Sequence, residues 1–152
     1  MKTISDFAPV LGLPVRQDEG HLIEEIASAW SVTLPADFVE IAGAYGDIVI
    51  SDYIYFCGAR TLREYADGMG RKLEASRAVP VPHTVLPTPG GALVWGNTIE
   101  GDQLFLVPRD GGSWTVSAFR RGWADWHDTE LGFSDWLYLA LPAFGRTRRT
   151  VR

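Results

Sequence analysis

The stretch Gly91–Phe119 limits what this chain can fold into more than any other part of it. Three apolar, β-favouring runs, Ala92–Trp95, Leu104–Val107 and Trp114–Phe119, are separated by two turn clusters. The first cluster spans Gly96–Asp102 and centres on Glu100-Gly101-Asp102. The second is Pro108-Arg109-Asp110-Gly111-Gly112. Short runs of β-branched and aromatic residues bounded by Gly, Asn and Asp are the signature of successive strands joined by turns. A three-stranded antiparallel meander is expected here, with the other segments packed around it.

Upstream, the apolar period changes to that of helices. Residues 3–11 are expected to form a short helix, broken by Leu13-Pro14 and Asp18-Glu19-Gly20. Leu22, Ile23, Ile26, Ala27 and Trp30 then share one face of an amphipathic helix, with Asp18 as its N-cap. Pro35 suits the first position of the next helix, whose buried face is Phe38, Ile41, Ala42 and Tyr45, and Gly46 is expected to end it in a left-handed conformation. Asp47–Ile50 and Tyr53–Cys57, on either side of Ser51-Asp52, read as a hairpin or a bulged strand.

Thr61-Leu-Arg-Glu64 has the capping-box pattern. The helix it opens buries Leu62, Tyr65, Ala66, Met69 and Leu73. Gly68 and Gly70 inside it each cost about 1 kcal/mol relative to Ala, so local irregularity is expected. Residues 77–91 hold too many prolines for a helix or a central strand and read as an ordered loop or edge segment. Gly122–Leu131 adds a short strand or a turn. Phe133–Leu141 is the last helix, capped by Ser134 and stopped by Pro142. The pattern predicts an α+β fold, a mostly antiparallel sheet with a central meander, flanked by helices. Residues 1–144 are read as a single domain and residues 145–152 as a basic C-terminal tail.

A chain of 152 residues buries roughly 70% of its unfolded surface, enough to fold without a disulfide or a metal. Its one cysteine, Cys57, follows an apolar run and reads as a small buried hydrophobe. No N-terminal apolar stretch resembles a signal peptide and no run approaches the length of a membrane span, so a cytoplasmic location is expected, with no membrane partner.

Charge is unevenly placed. The last eight residues carry four arginines (Arg146, Arg148, Arg149, Arg152) and no acid. Taking those four from the fourteen basic residues leaves ten against nineteen acids in residues 1–144. Such a body repels nucleic acid and favours a basic partner. The tail reads as a frayed, solvated end rather than a nucleic-acid arm.

No motif fixes a chemistry, and no catalytic residue, cofactor or metal site is assigned. There is no Gly-x-Ser-x-Gly elbow, no phosphate-binding glycine loop and no metal-ligand spacing, and His21, His83 and His127 are scattered along the chain. An enzyme would need one of these histidines brought onto a carboxylate in a pocket. Glu100 and Asp102 read either as a turn built on a positive-φ Gly101 or as an exposed acidic partner contact. Trp123-Ala-Asp125-Trp126-His-Asp128 either covers the sheet or anchors an interface, since Trp and Tyr dominate binding hot spots. Tyr53 and Tyr55 alternate with Ile54 and Phe56 and carry the same ambiguity. The partner-contact candidates are Tyr53, Tyr55, Trp95, Glu100, Asp102, Trp123, Asp125 and Asp128.

The order of several short motifs resembles the SUKH superfamily. Leu34-Pro35-x-Asp37-Phe38 leading to Tyr45-Gly46 is similar to that family's N-terminal signature. Leu93-Val94-Trp95-Gly96-Asn97 followed by Glu100-Gly101-Asp102 resembles its apolar-Pro-Phe-Gly … acid-Gly-Asp segment, with Val94-Trp95 where Pro-Phe is usual and an unusually long Pro-rich loop before it. Phe133-Ser134-Asp135-Trp136-Leu137 resembles its closing helix. The resemblance covers about residues 20–141. It implies an α+β fold and, for many bacterial members, an immunity protein that binds and neutralises a cognate toxin domain by occlusion. The partner is then expected to be basic, a nuclease or another nucleic-acid-modifying enzyme. Other members, fungal relatives included, are regulatory or scaffold modules, for which a host protein or a small ligand is the partner.

Overall fold

The computed structural model describes residues 1–14, 18–75 and 81–141 and the backbone of 149–151. Five helices are described: α1 (Ile4–Leu11), α2 (Gly20–Ala29), α3 (Ala36–Tyr45), α4 (Leu62–Ala75) and α5 (Phe133–Ala140). The strands are β1 (Ile48–Ile50), β2 (Ile54–Phe56), β3 (Leu93–Thr98), β4 (Gln103–Pro108), β5 (Trp114–Arg120), β6 (Asp125–Asp128) and β7 (Arg149–Val151). The expected meander, β3–β5, is the middle of a longer one. Strands β1 to β6 follow one another as antiparallel neighbours, and β7 pairs antiparallel with β1 at the far edge. The backbone of Arg149–Val151 is therefore strand, where a frayed end was expected. Pro142 and the arginines 146, 148 and 152 lie outside the described residues.

Helices α3 and α5 lie on one face of the sheet, and α1 and α2 pack onto α3. Phe38, Ile41 and Tyr45 of α3 and Phe133 and Leu137 of α5 meet Ile48, Ile54, Phe56, Trp95, Leu104 and Val116 from the strands. Phe133 sits at the centre, with ring centroids 5.1 Å from Phe38 and 4.9 Å from Trp95. Helix α3 is buried almost all round, as a helix between a sheet and other helices must be. Its Gly43 permits the close approach of α2, because a Cβ there would lie 2.5 Å from the Gly20 nitrogen.

On the opposite face α4 and the segment around Val81–Ala92 cover a second, smaller cluster of Met69, Val85, Ala92, Val94, Phe105 and Val107. Helix α4 runs unbroken for 14 residues through Gly68 and Gly70, so the expected irregularity is absent. Its own apolar stripe on the sheet holds it straight, and a few tertiary contacts outweigh the propensity cost of two glycines.

Three expected caps are replaced by others. Gly46 has φ −57°, and the left-handed residue is the next one, Asp47, at φ 62°. Gly46 is required instead by a close crossing, since a Cβ would stand 2.3 Å from Gly58 Cα. Glu19, not Asp18, precedes α2, while the Asp18 carboxylate accepts the Gly20 N–H at 2.8 Å. Helix α5 starts at Phe133 after Gly132, with Ser134 already inside it. The cap comes from buried Asp37 of α3, which accepts the Ser134 N–H at 2.9 Å, and the Ser134 hydroxyl accepts the Lys2 N–H at 2.9 Å. Before α4, the Thr61 hydroxyl donates to buried Asp47 and pairs with the Tyr55 hydroxyl. Asp47 also accepts the Gly58 N–H at 3.0 Å. Two buried carboxylates at the ends of α3 thus receive the orphan donors of later segments.

Candidate functional site

Three turns meet at one end of the sheet. The β1–β2 turn closes through the Tyr53 N–H to the Ile50 carbonyl, with Ser51 and Asp52 both at positive φ. The β3–β4 turn follows Thr98 and contains Gly101 at φ 91°, the conformation expected of a glycine between Glu100 and Asp102. The β5–β6 turn spans residues 121–124, with Ala124 at φ 50°. Hydrogen bonds tie the turns together. The Ile99 N–H donates to the Tyr53 carbonyl at 2.8 Å, the Tyr53 hydroxyl donates to Glu100 Oε2 at 2.9 Å, and the Arg121 N–H donates to Asp102 Oδ1 at 2.8 Å.

Five of the eight partner-contact candidates, Tyr53, Glu100, Asp102, Trp123 and Asp125, come together at this end. Tyr53 is half-buried against the first-face core, and burial and then the hydrogen bond to Glu100 raise its phenol pKa above the ordinary value. Asp125 forms a bidentate pair with Arg120, at 2.9 and 2.7 Å, and those hydrogen bonds hold its carboxyl below the ordinary range. The Arg120 guanidinium lies 5.3 Å from the ring centroid of Trp123. Trp123 is 76% exposed and Ile99 is 74% exposed, which is unusual for side chains of this size and polarity. Sequence reasoning missed Ile99. An isoleucine inside an otherwise polar turn cluster was the available signal.

The other three candidates lie elsewhere. Trp95 has no exposed surface and touches Phe133 and Trp136, so it is a core residue and not a contact. Alternation from Leu93, a residue of the same core, puts it there, and the bulge that shifts the β3–β4 register between Val94 and Gly96 reverses only the residues after it, so that Asn97 faces α4. Tyr55 is also buried, pointing to the α4 face beside Asp47 and Thr61. Its contact role is corrected in the same way. Asp128 is exposed on the α4 side, where one carboxylate oxygen accepts Ser117 Oγ at 2.6 Å, Arg109 at 2.9 Å and Trp126 Nε1 at 2.9 Å. These bonds, Ser117 first, lower its pKa. Trp126 itself covers the sheet, 5.0 Å from Phe105.

Comparison with family models, with curated proteins and with solved structures gives no match. Function must therefore be argued from the geometry and from the resemblance in motif order. Among the described residues, no group of three or more His, Cys, Asp or Glu side chains could hold a metal ion, and none of the ion pairs involves a histidine. His83 packs on Trp126 at 5.3 Å, and His21 and His127 are exposed. Among the same residues no helix is long and apolar enough to cross a membrane.

Proposed function

We propose that this chain is a protein-binding neutraliser of the immunity type, which presents the three-turn end of its sheet to a basic toxin domain and occludes it. The observation that carries the reading is the presence of two largely exposed apolar side chains, Ile99 and Trp123, on turns joined by a hydrogen bond, at the end of the sheet that also carries Asp52, Glu100, Asp102 and Asp125. An apolar centre with a charged rim is how protein interfaces are built. Four carboxylates stand there with two guanidinium groups, Arg120 and Arg121, and Arg120 is already neutralised by Asp125. The remaining negative potential suits a basic partner, which it would steer into place.

The resemblance to SUKH proteins supports the same reading, as does the acidic body of the chain. A bacterial, cytoplasmic setting belongs to this proposal. The hydrogen bonds between the turns hold the surface in shape before binding, which lowers the ordering cost of association.

The test is capture from native-cell lysate with the tagged chain as bait, at low salt and again at about 0.5 M, where the screening length is only a few ångströms. The expected result is one basic protein, held less well at high salt, whose toxic activity falls to zero as the purified chain is added to equimolar amount. A captured partner whose activity is untouched by the chain would replace neutralisation with a scaffold role.

A further inference from the structure

The α4 face carries a groove that reaches the three-turn end only at Gly101 and Arg121. Two cavities, of about 440 and 370 Å³, adjoin along the helix and are both touched by Met69, Lys72 and Gln103. Volumes of this order are those of small-molecule sites. The part nearest the sheet's turn end is apolar, lined by Phe119, Leu73 and Val81 over the fully buried Phe105. The walls are cationic: Arg71 and Lys72 on α4 and Arg121 on the β5–β6 turn line the groove, with Glu64 as the one carboxylate. Among the described residues none of these three cations is in an ion pair. That is notable in a chain of net charge −5.

A polar relay crosses the floor. Asn97 Nδ2 donates to the Tyr65 hydroxyl at 2.6 Å, and that hydroxyl donates to Gln103 Oε1 at 2.6 Å. The relay fixes the Gln103 amide so that its nitrogen lies toward Gly101, 3.4 Å from that carbonyl, on the side where Arg121 stands. One cavity therefore holds an oriented amide donor, an ammonium and a guanidinium beside an apolar lining.

We propose that this groove binds a small organic anion, with its carboxylate or similar head held by Lys72, Arg121 and the Gln103 amide and its apolar body on Phe119, Leu73 and Met69. A neutral molecule of the same shape would keep the apolar contacts and lose the charge-assisted hydrogen bonds, each of which is strong when partly shielded from water. The head group, rather than the body, therefore decides affinity.

Methionine supplies the reporter, because the chain has only Met69 and the exposed Met1. In protein labelled with ¹³C at the methionine methyls, 4-phenylbutyrate is titrated to millimolar concentration, in parallel with the isosteric alcohol 4-phenylbutanol. The expected result is a saturable shift of the Met69 signal alone, with the alcohol about tenfold weaker or more, the ratio that one charge-assisted bond supplies. Lys72→Gln and Arg121→Gln should each weaken the acid and leave the alcohol unchanged. Both side chains are exposed, so the fold survives the change. A Met69 signal that does not move, or one that responds equally to acid and alcohol, overturns the proposal, as does acid binding unaltered in both variants.

Discussion

On one face of the sheet, α1, α2, α3 and α5 bury Phe7, Phe38, Trp95 and Phe133 in a continuous aromatic and aliphatic core. On the other, α4 and the segment around Val81–Ala92 cover a much smaller cluster and leave a groove along the helix. The first face leaves a smaller cavity, of about 180 Å³, beside Leu104, Val116 and Trp136. The second has a groove lined by Arg71, Lys72 and Arg121, none of them in an ion pair among the described residues. The contrast separates two tasks: one face holds the fold together, and the other, with the turns at its end, is available for recognition. Loss of a side chain should therefore cost stability on the first face and binding on the second.

Truncation of one fully buried strand aromatic on each face breaks or sharpens this contrast most strongly. Trp95→Ala should cost about 4–5 kcal/mol, the upper part of the range for large-to-small core changes, because its neighbours cannot collapse into the space. Phe105→Ala should cost about 3 kcal/mol, because the space it leaves joins the groove. Urea unfolding of both variants checks the order, and a larger loss at Phe105 would reverse the assignment of the faces.

The buried carboxylate that joins the two faces comes next. Asp47 lies between β1, β2 and the start of α4, and its oxygens accept the Gly58 N–H and the Thr61 hydroxyl. Asp47→Ala leaves these donors without their acceptor and places Ala at φ 62°. A loss of about 2–4 kcal/mol is expected. Asp47→Asn keeps the backbone preference and should lose clearly less. Thermal unfolding of the pair separates the two contributions.

The elements were legible where the apolar period was strong. The β3–β5 meander, α2, α3 and α5 all fall where the apolar spacing placed them, because a face buried against a sheet must repeat at 3.6 or 2 residues. The caps were not legible. Asp37 and Asp47 look like ordinary surface acids in the sequence, yet each is buried to satisfy a segment distant in the chain. Trp95 shares the face of Leu93 two residues earlier, and what Leu93-Val94-Trp95-Gly96 does not announce is that both faces of this strand are covered. At the three-turn end, Glu100 and Asp102 could be picked out because their turn is local. Its union with Tyr53 and Trp123 depends on strand order, which one sequence shows only through its meander.

Smaller effects bear on α4 and the β5–β6 hairpin. A Cβ at Gly68 would meet nothing within 4 Å, so Gly68→Ala should stabilise the chain by about 0.5–1 kcal/mol through helix propensity alone. A measured loss would mean that the helix is not regular there.

The hairpin should also respond to acid. Asp125 and Asp128 have pKa values lowered in the fold, by Arg120 and by Ser117 with Arg109 and Trp126 respectively. A lowered carboxyl pKa gives stability that is present above the unfolded value of about 4 and is lost as pH falls through the folded value. The Asp128 side-chain carboxyl ¹³C resonance should hold its position from pH 7 down past 4 and move only below that. Movement centred above 4 would contradict the hydrogen-bonded state of Asp128.

The most direct test places the two regions side by side in the capture experiment. One bait carries Glu100→Lys with Trp123→Ala, both exposed at the turns; a second carries Lys72→Gln in the α4 groove. The second should melt close to the unaltered chain, and the first slightly lower, since it loses the Tyr53–Glu100 hydrogen bond, worth about 0.5–1.5 kcal/mol. The basic partner should be lost from the first bait and retained by the second. Retention by the first, or equal loss from both, would contradict the assignment of partner binding to the three-turn end.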